Sequence, residues 1–325
     1  MLRLLIPTGS GYTWVDHNPV SPFPDDVLWA DLSTPTPEEE RAVEAQFTIN
    51  VPTPEEMREI EASSRLYEEN GALYMTATVA SKLDNDTPES SAITFILAHG
   101  RLVTNRYIDS TPLRLFAQHV ERSPSACTSS EALLAGLLER FVERIADLLE
   151  RVQGELDVAS RSIFPRGPKQ AYPSSPQLHA TIQKIGVNGD LISKARESLV
   201  SFQRLLTFVQ QAGGVALSQE QRSRFDSTLR DVQSLSDHAT FLGGKIQFLL
   251  DAVLGLINLE QNNIIKIFSV LAVMFLPPTL VASVYGMNFQ HMPELQQPWG
   301  YPAALGLMVA SAVVPYIYFR RKGWL

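Results

Sequence analysis

The chain carries no charged side chain between Ile267 and Gln290, and none again between Leu295 and Phe319. The stretch from Ile267 to Val284 is 18 residues of mostly apolar character. That meets the minimum for a helix crossing a hydrocarbon core ~30 Å thick at ~1.5 Å per residue. The second stretch has Trp299 and Tyr301 at one end and Tyr316, Tyr318 and Trp324 at the other, where amphipathic rings settle at a membrane–water boundary. Buried helices of a soluble core seldom run this far without a charge, so the pattern predicts two transmembrane helices. Their flanks orient them. Arg320, Arg321 and Lys322 follow the second span, whereas Tyr285 to Gly300 holds no Lys or Arg and a single acid, Glu294. Basic residues stay on the cytoplasmic side, so both termini are expected there, with the short connection outside.

Two helices offer only two walls and cannot enclose a pore. A transport function would therefore require a homo-oligomer, in a cyclic arrangement. The charge of −8 is unevenly spread. Residues 1–125 hold 19 acids and 9 bases, residues 126–263 hold 15 and 14, and residues 264–325 hold 1 and 4. No basic stripe for nucleic acid appears. Cys127 is the sole cysteine, which excludes an intrachain disulfide framework and any cysteine-rich zinc site. His17, His99, His119, His179, His238 and His291 are scattered without ligand spacing. No nucleophile–base pair or phosphate-binding glycine loop stands out, so neither an enzyme nor an organic cofactor is expected.

Upstream of the spans, Leu134, Leu138, Phe141, Ile145, Leu148 and Val152 alternate at spacings of four and three and predict a helix over 131–163. Four prolines between Pro165 and Pro176 mark a loop, and a second helix is predicted over 177–211. A third begins after Ser218, an N-cap with Gln221 at the capping-box position, and continues without a stop into the first span. Such a helix would be ~100 Å long, and a stalk packed on copies of itself is the expected form. Gly243-Gly244 within it reads as a hinge or a close-packing site. In the first 125 residues, β-like runs at Leu2–Ile6, Val27–Leu32, Leu73–Ala80, Ala92–Ala98 and Arg101–Asn105 accompany helix starts at Thr36-Pro37-Glu38-Glu39 and Thr53-Pro54-Glu55-Glu56.

The expected whole is an α+β membrane protein with six parts. These are a cytoplasmic α/β domain (1–125), a helical stalk region (126–263), a first span (264–285), an external loop (286–299), a second span (300–319) and a short basic cytoplasmic tail (320–325).

Tyr285-Gly286-Met287-Asn288-Phe289, followed by Met292-Pro293-Glu294-Leu295, resembles the CorA family of magnesium channels, whose hallmark is Gly-Met-Asn at the outer end of the first span. Asn262, Lys266, Leu276-Pro277-Pro278-Thr279, Trp299-Gly300-Tyr301-Pro302 and the end Phe319-Arg320-Arg321-Lys322-Gly323-Trp324-Leu325 extend the match, which is close over about 250–325. The resemblance implies a homopentameric Mg²⁺ channel of the bacterial inner membrane, with Co²⁺ and Ni²⁺ as further cargo. It implies a filter at Gly286, Met287 and Asn288, and a pore wall holding Asn262, Phe268, Leu276 and Thr279, with Phe268 and Leu276 at the gate. It also implies a regulatory divalent ion at Asp251, so that cytosolic Mg²⁺ closes the channel, with Asp84, Asp86 and Glu89 as candidate partners. Arg320, Arg321 and Lys322 become a cationic collar at the cytoplasmic pore end, and Glu294 draws cations to the outer mouth. The chemistry agrees, because Mg²⁺ holds its water tightly. Neutral carbonyl and amide oxygens can accept from the hydrated ion, where carboxylates would hold it too long. Two alternatives are a zinc transporter of the same superfamily and a membrane-anchored scaffold or sensor without flux.

Overall fold

The computed structural model describes residues 1–9, 11–81, 88–123, 128–164, 175–213, 217–288 and 292–324. They form two compact units, Met1–Tyr172 with Ala180–Leu249, and Pro173–His179 with Leu250–Leu325.

The first unit opens with a seven-stranded sheet. Its strands are β1 (Leu2–Thr8), β2 (Gly11–Asp16), β3 (Trp29–Ser33), β4 (Leu66–Glu69), β5 (Ala72–Ser81), β6 (Glu89–Ala98) and β7 (Arg101–Arg106), in the order β2-β1-β3-β7-β6-β5-β4. Only β3 and β7 pair in parallel; their neighbours all run antiparallel. Four of the five predicted runs lie within strands and the fifth, Val27–Leu32, overlaps β3 from Trp29 on, while β2 and β4 are additional. β6 and β7 meet through His99 and Gly100, both at positive φ (51° and 75°), the tight hairpin turn expected from the sequence.

One face of the sheet packs Leu2, Leu4, Ala30, Leu32, Ile96 and Val103 against Val43 and Phe47 of α1 (Pro37–Phe47). The predicted start of α1 is a full capping box between Thr36 and Glu39. The second predicted start makes only a three-residue 3₁₀ turn, Glu56–Arg58, although Thr53 Oγ accepts from the Glu56 N–H at 3.3 Å. Met57 alone is buried there. A cap can begin a helix, but without an apolar stripe nothing sustains it.

The opposite face receives α3 (Thr111–Arg122) and α4 (Ser130–Ile163); a short α2 (Ala62–Arg65) precedes β4. Trp29 meets Phe116 of α3 at 6.0 Å. Phe95 meets Phe141 of α4 at 6.2 Å, and Phe141 meets Phe202 of α5 (Ser175–Gln211) at 5.6 Å. Across the parallel junction, Arg106 grips buried Asp31 with two bonds (3.1 and 2.8 Å), and Thr104 Oγ1 donates to the same carboxylate at 2.7 Å.

The helix that starts at the Ser218–Gln221 capping box, α6, is one element of 67 residues, Gln219–Tyr285, unbroken at Gly243-Gly244 and at Pro277-Pro278. In the first unit it is pinned to α4 by Arg224 on Glu139 (3.0 and 2.7 Å) and by Lys245 on Asp157. Asn188 of α5 donates to Glu155 at 3.0 Å. The second unit contains the remainder of α6, a 3₁₀ turn at Pro293–Gln296 and α7 (Gly300–Arg321).

Candidate ion pathway

Among the described residues, two helices are long and apolar enough to cross a membrane, α6 in its last turns and α7. Only 6% of the apolar window in α6 is buried within the chain, and none of that in α7. Buried helices of a soluble core would show the reverse, so this apolar surface belongs against lipid or other chains.

Asn262, Ile265, Phe268, Ala272, Leu276, Thr279 and Ser283 recur three or four apart along one side of α6. All are exposed, Phe268 at 68% and Leu276 at 66%. So are residues elsewhere on the span, such as Phe275 and Leu280. Exposure in one chain does not mark a pore face; Asn262, Thr279 and Ser283 are the polar points on this side.

Pro277 and Pro278 lack N–H groups, so the carbonyls of Val273 and Met274 receive no bond from the residue four ahead. At the next position the Thr279 hydroxyl donates back to Phe275 O at 2.7 Å. Its only hydrogen is thereby spent, leaving oxygen lone pairs to face outward as acceptors.

At the C-terminal end of α6 the Gly286 N–H donates to Ala282 O at 2.9 Å, and the Met287 N–H to Val284 O at 3.3 Å. A Cβ at Gly286 would lie 2.9 Å from the Ala282 carbonyl oxygen. The glycine is therefore required by close approach to its own preceding turn. Met287 and Asn288 follow, both exposed. Phe289 and His291 lie outside the described residues, as does the Glu294 side chain, whose backbone is in the 3₁₀ turn.

Arg320 and Arg321 occupy the last turn of α7 and Lys322 its C-cap. Asp251 is exposed on α6, in the second unit, and Glu89 opens β6 in the first. Asp84 and Asp86 fall outside the described residues. Among the described residues, no three or more His, Cys, Asp or Glu gather where they could hold a metal. What sequence reasoning missed is the geometry closing α7, where Gly323 stands at φ +71° and Trp324 stacks on Phe319. A glycine after a basic last turn, with aromatics on both sides, was the available signal.

A family profile described as "CorA-like Mg2+ transporter protein" matches residues 24–321. The chain is 38% identical over 300 residues to a magnesium transport protein CorA of Haemophilus influenzae, covering 92% of each. It is 37% identical over 299 residues to one of Mannheimia succiniciproducens, again covering 92% of each. In fold it is similar to the complete structure of the CorA magnesium transporter from Methanocaldococcus jannaschii, with a TM-score of 0.78 and 18% identity over 100% of this chain and 99% of that one. The fold is thus that of a CorA transporter, with an N-terminal α/β domain, a long helix and a C-terminal helix, the last two each holding a candidate span. The chain is a membrane protein, and it belongs to the CorA-like Mg²⁺ transporter family.

Proposed function

We infer that the chain passes Mg²⁺ across the bacterial inner membrane through a pore assembled from several copies, five by family resemblance, with both termini in the cytoplasm. The observation that carries this is the unburied apolar surface of α6, which ends in Gly286-Met287-Asn288 after a span too exposed to stand alone. Its magnesium relatives at 37–38% identity favour Mg²⁺ as cargo.

The filter is a ring of neutral oxygens, from the carbonyls near Gly286 and Met287 and the Asn288 amide, which accept hydrogen bonds from the ion's water shell. Glu294 raises the local cation concentration outside. Below the filter, Thr279 repeats the acceptor chemistry. Leu276 and Phe268 form apolar constrictions that gate by dewetting, and Asn262 is the next polar ring. Arg320, Arg321 and Lys322 form the cationic collar. Asp251 holds a regulatory Mg²⁺ with an acid of a neighbouring copy, for which Glu89, Asp84 and Asp86 are candidates. Carboxylates so placed repel unless a cation bridges them, which makes closure depend on cytosolic Mg²⁺. Co²⁺ and Ni²⁺ are further cargo; the function is transport, not catalysis.

The test is Mg²⁺ uptake by cells lacking other Mg²⁺ importers. The wild type restores uptake and Asn288→Ala abolishes it. Unchanged uptake in Asn288→Ala would favour a scaffold without flux, and vesicles passing Zn²⁺ but not Mg²⁺ would reassign the cargo.

A further inference from the structure

We propose that the cap closing α7, made by Gly323 and Trp324, is a positioning element for Arg320, Arg321 and Lys322 and thereby sets their effect on ion passage; this rests on reading those cations as a collar. The chain does not trail away after the helix. The Lys322 N–H donates to Tyr318 O at 3.1 Å, the Gly323 N–H to Arg320 O at 3.2 Å and the Trp324 N–H to Phe319 O at 3.1 Å. The last two bonds nest one inside the other, and Gly323 stands at φ +71° between them. This is the glycine-dependent reversal that satisfies carbonyls otherwise left free at a helix end.

Side chains reinforce it. Trp324 lies on Phe319, ring centroids 5.3 Å apart and planes at 23°. Phe319 meets Tyr318 edge-on at 5.6 Å, and the Lys322 ammonium stands 5.3 Å over the Tyr318 ring. All three cations thus sit within one turn whose backbone is closed by the cap, at the helix end whose partial negative charge favours them.

A frayed last turn would spread these long side chains and average out their field. Repulsion between a collar and a passing divalent cation falls with distance, so the barrier depends on where the charges are held. Gly323 supplies the reversal and Trp324 fastens it. A plain interfacial anchor at Trp324 is the rival reading, and it makes no reference to the charges.

Mg²⁺ influx into vesicles containing the full-length protein separates the two. Neutralising the collar (R320Q/R321Q/K322Q) is expected to raise influx. Trp324→Ala and Gly323→Ala are expected to raise it in the same direction but by less, while Trp324→Phe keeps the wild-type rate. In the neutralised background, Trp324→Ala is expected to add nothing. An equal effect of Trp324→Ala in both backgrounds would make it an anchor and overturn the proposal. So would wild-type influx in Trp324→Ala and Gly323→Ala while neutralisation still raises it. Unchanged influx on neutralisation removes the collar itself, a different failure. Should Trp324→Ala not assemble, Gly323→Ala in the two backgrounds decides in the same way.

Discussion

Gly136 of α4 faces Phe116 of α3. A Cβ there would lie 2.8 Å from two ring carbons of Phe116, a ring that is itself buried and packed on Trp29. Gly136→Ala is expected to lower stability by about 1–3 kcal/mol, the range for overpacking a filled core, read as a lower denaturation midpoint. Asp31 and Arg106 pose the opposite problem. Their side chains are 4% and 11% exposed, so Asp31→Ala leaves a buried guanidinium without its carboxylate and is expected to cost about 3–5 kcal/mol. The double variant Asp31→Ala/Arg106→Met should lose less than the single one; an equal or larger loss would mean that packing, not the stranded charge, is responsible. Neither site was legible in the sequence, because both depend on partners over 15 residues away. Gly286 was legible only as part of the Gly-Met-Asn motif; the Ala282 carbonyl that a Cβ there would meet was not.

The helices were the most legible elements, since α4, α5 and α6 carry their apolar period over 34, 37 and 67 residues. β2 was missed because its alternation is weak and no residue in it is fully buried. The short α3 went unread although Leu113, Phe116, Ala117 and Val120 carry its buried stripe. For Gly243-Gly244 the sequence left hinge and close packing open. A Cβ at either glycine would meet nothing within 4 Å, so no packing within the chain requires them. Gly243→Ala and Gly244→Ala are each expected to stabilise the chain by about 1 kcal/mol from helix propensity alone. Destabilisation of the assembly instead would show that a second copy approaches there. Beside them, a hydrogen bond from Lys245, with its positive charge, holds the Asp157 carboxyl below the usual carboxylate range. A carboxyl so depressed contributes stability above that range and loses it as pH falls through its folded-state value. Asp157→Asn should therefore be less stable than the wild type near neutral pH, with the difference vanishing in acid. A difference that persists at the lowest pH would assign the effect to packing.

For the whole molecule, the spans were legible because a bilayer imposes its own length and charge rules, whereas the proposed regulatory metal site, if shared between copies, would leave no cluster in one chain, and none is seen among the described residues. Asp251 tests that idea through stability. A ligand bound only by the native assembly raises stability by about 2.7 kcal/mol at a hundredfold excess over Kd. Mg²⁺ is expected to raise the denaturation midpoint of the wild type, chelation to lower it, and Asp251→Ala to abolish the difference; a full Mg²⁺ response in Asp251→Ala would move the site elsewhere. The pore makes the stricter demand. A single chain leaves 94% of the α6 window and all of the α7 window unburied, and lipid can satisfy that surface without any ring. In the proposed pore, polar points such as Thr279 and Asn262 face one another across a closed wall, and closure needs each copy to offer the same two edges. The mass in detergent is therefore expected to be a whole multiple of 36.1 kDa, large enough for a ring of five. A chain that remains single or paired while still passing Mg²⁺ would leave the α6 face without a pore to line.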